Sequence, residues 1–162
     1  MKIQDLFEKW GLAGLKINVG FLSMDWKPEP VEQQAAWELY VELVTRVATQ
    51  PLDAGTGDEK AALESVYTII EITRNLLRER GRKAETFSKI AIILLNQKIR
   101  PFTTVWHKAR LKGDFTDSTI CADFRTDLAM TQGVLQSFAG MLADIAGVET
   151  IHELDQGALV EI

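Results

Sequence analysis

The sequence predicts an all-α protein: an antiparallel four-helix bundle carrying a short N-terminal helix and a minor N-terminal strand. Three observations carry that prediction. Four long stretches repeat apolar residues at steps of three and four. Short connections rich in Gly, Pro and Asp separate them, as in bundles of antiparallel neighbours. Only one stretch alternates with a period of two.

Ile3, Leu6, Phe7 and Trp10 fall at helical intervals, with Gly11 as a stop. Leu15, Ile17, Val19 and Phe21 then alternate with Lys16, Asn18 and Gly20, the pattern of a half-buried strand. A lone strand leaves its backbone groups unpaired. Its partner is expected to be either the C-terminal segment Ala158–Ile162 or a copy of itself across a dimer. Pro28 and Pro30 end the extended segment.

The first bundle helix is expected over 31–49. Ala36, Leu39, Tyr40, Leu43, Val44 and Val47 share one face, and Glu32, Glu38 and Glu42 fall towards solvent. Gln50-Pro51 closes it. Thr56-x-x-Glu59 has capping-box spacing, with Asp58 as the alternative cap. The second helix runs to about Arg80, and Gly81 is its C-cap. The third begins near Lys83 or Ala84. It contains the run Ile90–Leu95, six apolar residues expected at the centre of the core. Pro101 removes a hydrogen bond to Gln97, so this helix should kink or break there. A kink is expected, because Ala91, Leu95, Ile99, Phe102 and Trp106 keep helical intervals across the proline. The fourth helix runs from about Thr116 or Asp117 to Ala146, with Phe124, Leu128, Thr131, Leu135, Phe138, Leu142 and Ile145 as a near-heptad seam. Gly133 and Gly140 interrupt it, and close approach of another helix would account for them.

The 162 residues therefore read as one domain: N-terminal decoration over 1–30, bundle over 31–146, and an acidic tail over 147–162. Neither a signal peptide nor an apolar run long enough for a membrane span is evident, so a soluble cytoplasmic protein is expected. A single cysteine, Cys121, rules out an internal disulfide and a multi-cysteine zinc site. It reads as a small buried apolar residue rather than a reactive thiol. A di-iron site needs two Glu-x-x-His pairs, and only Glu149-x-x-His152 has that form. Glu29-x-x-Glu32 lacks the Glu-x-x-Asp partner that a magnesium site on paired helices would need. Asp123 and Asp127 read as solvated acids near a helix start. No metal site and no cofactor is expected.

Charge is the informative feature. Net charge is −5, yet Arg74–Lys112 holds eleven Lys or Arg against Glu79 and Glu85, a local +9, and the remainder is −14. Arg78, Arg80, Arg82 and Lys83 form one basic cluster, and Lys98, Arg100, Lys108, Arg110 and Lys112 form another. In an antiparallel bundle these lie at opposite poles. Arg100, Trp106, His107 and Lys108 form a candidate anion pocket at one of them. The expected function is a non-enzymatic interaction or regulatory module, binding a protein partner or self-associating through charge-segregated surfaces. Two alternatives stand beside it. One is a nucleic-acid- or nucleotide-binding protein using residues 74–112, against which the overall acidity argues. The other is a small enzyme with its site near Arg100 and His107.

Overall fold

The computed structural model describes residues 1–12, 14–55 and 57–151, and the protein is all-α. Its helices are α1 (Ile3–Lys9), α2 (Val19–Leu22), α3 (Pro30–Val44), α4 (Glu59–Arg80), α5 (Glu85–Leu94), α6 (Arg100–Leu111) and α7 (Ser118–Ala146). No helix among the described residues is long and apolar enough to cross a membrane.

The caps explain the boundaries. Asp58 Oδ1 accepts from the backbone of Lys60 at 2.8 Å and Ala61 at 3.2 Å to start α4. Asp117 does the same for Thr119 and Ile120 to start α7. Gly147 ends α7 in the left-handed region at φ 75°, where a Cβ would be strained. Beyond α3, a 3₁₀ turn (Val47–Thr49) replaces the expected last helical turn. The Thr49 hydroxyl holds this turn by donating to the Leu43 carbonyl at 2.6 Å.

Four expectations are corrected. The predicted strand over residues 15–21 does not form; Lys16–Asn18 is irregular and Val19 begins α2. Among the described residues the one bridge is Lys2 with Asp25. Lys16 is paired nonetheless, because the Gln97 side chain donates to its carbonyl and accepts from its N–H, both at 2.8 Å. A side-chain amide thus stands in for a neighbouring strand. The proposed partner Ala158–Ile162 lies outside the described residues. The apolar run Ile90–Leu95 is not wholly enclosed: Ile90, Ala91, Leu94 and Leu95 are buried, but Ile92 is 47% exposed. The helix over 85–111 runs on through Pro101 without a break, and its irregular turn lies just upstream of the proline rather than at it. A π turn (Leu95–Ile99) joins α5 to α6, and the Arg100 N–H reaches back five residues to the Leu95 carbonyl. Pro101 then falls in the first turn of α6, where its missing donor matters least.

Glu32 is the fourth correction. It is buried rather than solvated. Its Oε2 accepts from Trp26 Nε1 at 3.1 Å and from its own N-cap, Glu29 N, at 3.0 Å. Its Oε1 accepts from Phe87 N in the first turn of α5, at 3.1 Å. Glu29-x-x-Glu32 is therefore a capping box. One carboxylate closes the start of α3 and the start of α5 together.

The core is continuous. α3 packs along α7 and beside α4, and α6 bridges α4 and α7. Phe87, Phe124 and Phe138 are fully enclosed with Leu39, Leu43 and Leu63. Rings of Phe124, Trp106 and Phe115 meet edge-on or stacked, with centroids 5.0 to 6.1 Å apart, in a favourable aromatic geometry. They fasten α6 and the turn before α7 to α7 itself. Arg125 on α7 gathers the loop before α4, donating to the carbonyls of Asp53 and Gly57 and to Glu59 Oε1 at 2.9 Å.

Candidate functional site

The nine predicted binding residues separate into three groups. Trp106 is buried, and its Nε1 donates to Asp127 Oδ2 at 3.1 Å. It is a core residue, so the anion pocket with Arg100, His107 and Lys108 loses its floor. That bond also gives Asp127 its role. Arg80 and Arg110 carry ion pairs, to Glu38 of α3 and Glu64 of α4. Arg78, Arg82, Lys83, Arg100, His107 and Lys108 remain exposed. Arg100 and His107 share a face of α6, but seven residues of helical rise separate them by about 10 Å. The His107 ring meets Tyr67 edge-on, at 6.0 Å between centroids. Burial pushes the Tyr67 phenol up, and its hydroxyl donates to the Thr103 carbonyl.

The structure presents a surface that the sequence reading missed. Between α3 and α4 runs an open groove of about 440 Å³, lined by Trp37, Val41, Ile72 and Leu76 with Glu38, Glu42, Asn75 and Glu79 along it. Trp37 is 42% exposed and Val41 37%, although both are apolar and stand one turn apart on α3. Local helical geometry explains the placement. Residues 37 and 41 lie off the buried stripe of Ala36, Leu39, Tyr40 and Leu43, while 72, 75, 76 and 79 form the facing row on α4. The sequence signal was the pair Trp37-x-x-x-Val41 on an otherwise polar face.

Arg80 and Arg46 hold Glu38 and Glu42 in ion pairs at the edge of the groove. The Arg80 guanidinium hydrogen-bonded to Glu38 keeps that carboxyl below the ordinary carboxylate value. The folded value is the lower one, so the pair adds stability above the ordinary range and loses it as pH falls through the depressed value. Glu79 has no ion-pair partner among the described residues. The groove is therefore lined by apolar side chains, with Glu79 as the unpaired carboxylate beside them.

The outer face of α6 is the counterpart. Val105 is 60% exposed and Leu111 74%, with Lys108 between them and Arg100 and Lys112 beside them. The helix turns Phe102, Thr103 and Trp106 inward.

A second cavity, of about 340 Å³, lies among Trp10, Tyr40, Val44, Pro51 and Gln136. Its polar groups are already engaged. The Tyr40 hydroxyl accepts from Ile151 N, Gln136 donates to the Thr49 carbonyl, and Trp10 Nε1 donates to Asp144. Among the described residues no cluster of three His, Cys, Asp or Glu side chains is arranged to hold a metal. Cys121 is half-buried, and its thiol donates to the Phe115 carbonyl at 3.0 Å. Burial, with Glu59 nearby, pushes that thiol up, so little thiolate exists at neutral pH. Iodoacetamide at pH 7 is expected to label Cys121 at least about fivefold more slowly than a free peptide cysteine, with the rate rising as pH is raised. A mass-spectrometric time course checks this, and labelling at the peptide rate would contradict it.

Comparison of the chain with known protein families, curated proteins and solved structures returns no match.

Proposed function

We propose that the chain is a single domain built as an antiparallel four-helix bundle, with α3, α4, the α5–α6 pair and α7 as its rods. In this reading it works as a non-enzymatic interaction module. The docking surface is the groove between α3 and α4, and the partner is a basic amphipathic helix. One observation carries the reading: two large apolar side chains, Trp37 and Val41, stand exposed on a floor with carboxylates along its rim. An isolated exposed apolar residue is ordinary, but a tryptophan that lines a groove is among the commonest kinds of anchor. A helix laid in a groove is gripped by apolar side chains at steps of three and four, and a lysine on it would meet Glu79.

The nucleic-acid alternative rests on Arg78, Arg82 and Lys83, which are exposed at the end of α4 away from the Arg100–Lys112 group. Two separated groups, with Arg80 and Arg110 neutralised, do not make a continuous phosphate track. For the enzyme alternative, neither of the two cavities described above is lined by Arg100 or His107.

The test is titration of a synthetic lysine- and leucine-rich helical peptide, followed by tryptophan fluorescence and calorimetry. Saturable binding is expected, weakened about 30-fold by Trp37→Ala, the equivalent of about 2 kcal/mol. An unchanged affinity in the Trp37→Ala protein, or tighter binding to duplex DNA than to peptide, would count against the reading.

A further inference from the structure

We propose that the occupant of the groove is the outer face of α6 on a second copy of this chain. This rests on the groove being a docking surface, and it names the partner. The two surfaces are complementary in charge. The groove has Glu79 as the unpaired carboxylate on its rim, with Glu38 and Glu42 already held by Arg80 and Arg46, while α6 offers Arg100, Lys108 and Lys112 beside Val105 and Leu111. They also match in length. Ile72 to Glu79 on α4 and Thr104 to Leu111 on α6 each cover eight residues, about 10 Å of helix from end to end.

The contact must be between molecules. α6 faces its own α4 through its inner side, where the Tyr67 hydroxyl reaches the Thr103 carbonyl at 3.1 Å. Its Val105–Lys108–Leu111 surface is turned away from the groove of the same chain.

A groove on one copy and a helix face on the next make a head-to-tail interface. Each added copy leaves one groove and one α6 face open, so the assembly grows into short open chains or closes into a ring. Its charged rim is exposed, so salt should weaken it over a screening length of about 10 Å at 0.1 M.

Sedimentation across a concentration series at low and high salt tests this. The wild type is expected to grow in mass with concentration at low salt and to fall back towards the 18.2 kDa monomer at high salt. Glu79→Lys in the groove and Lys108→Glu on α6 should each leave a monomer at low salt, with near-UV circular dichroism unchanged. Mixed in equal amounts, the two variants should assemble again, because the intact groove of one meets the intact α6 of the other and the exchanged charges meet at the reverse junction. Three results would overturn the proposal: a wild type that is monomeric at every concentration, a Lys108→Glu protein that assembles like the wild type, or a mixture that stays monomeric. If the synthetic peptide binds the groove while the wild type stays monomeric, only the self-recognition fails. If the peptide does not bind either, the groove reading fails with it.

Discussion

Glu32→Ala is expected to lower stability by about 3 kcal/mol, a drop of about 10 °C in Tm for a domain of this size. The substitution removes the acceptor of three N–H groups at once: Trp26 Nε1, Glu29 N and Phe87 N. Buried donors left without an acceptor cost about 1–3 kcal/mol each, and the positive ends of two helices lose their shared anion. Glu32→Gln is the sharper variant. It keeps the shape, but its amide nitrogen must face one of those donors, so a loss of about 1–2 kcal/mol is expected. Urea and thermal unfolding measure both. An alanine variant within about 0.5 kcal/mol of the wild type would mean that this carboxylate is not the joint between α3 and α5.

Gly140→Ala and Gly133→Ala are expected to move stability in opposite directions, though both lie on α7. A Cβ on Gly140 would stand 2.2 Å from Trp10 Cζ3 and 2.4 Å from Cε3. The indole cannot yield without breaking its bond to Asp144, which measures 2.6 Å. The overpacking outweighs the gain in helix propensity, for a net loss of about 2 kcal/mol. A Cβ on Gly133 would meet none of the described residues within 4 Å outside its own stretch of helix, so alanine should add up to about 1 kcal/mol. A double-mutant cycle with Trp10→Ala checks the cause. The Gly140→Ala penalty should vanish once the ring is gone. A penalty that persists would place the strain elsewhere. The close neighbour of Gly140 is thus a side chain at the end of α1, not another long helix, and among the described residues no other element crowds Gly133.

The long helices were legible because their signals are local. Asp58, Asp117 and Gly147 mark ends through bonds to residues a few positions away. What escaped depends on distant partners. The alternation at Leu15–Phe21 is real, but Lys16 is satisfied by Gln97, whose amide arrives from 81 residues along the chain. Glu32 lies off the apolar stripe of α3, and only the approach of Trp26 and the start of α5 buries it. The candidate site divides the same way. Arg78, Arg82, Lys83, Arg100, His107 and Lys108 are exposed, as single charged or polar residues usually are. Arg80 and Arg110 meet carboxylates 42 and 46 residues away, which no local pattern announces. Trp106 continues the apolar series of α5, and that periodicity was the better guide to its place. The groove needs two helices to exist, so neither sequence segment displays it alone.

The π turn has a consequence for everything beyond it. Between Ala91 and Trp106 the inward residues are separated by four, four, three and four positions, a mean slightly above the 3.6 of an α-helix. The wide turn absorbs that surplus and sets the azimuth at which α6 leaves it. Inserting one further residue between 95 and 99, beyond the one that the wide turn already absorbs, would rotate α6 by about 100° about its own axis. The lysines would then swing towards the aromatic cluster and Trp106 towards water. Which side of that helix the protein shows to its surroundings is therefore fixed upstream, by the length of one loose turn.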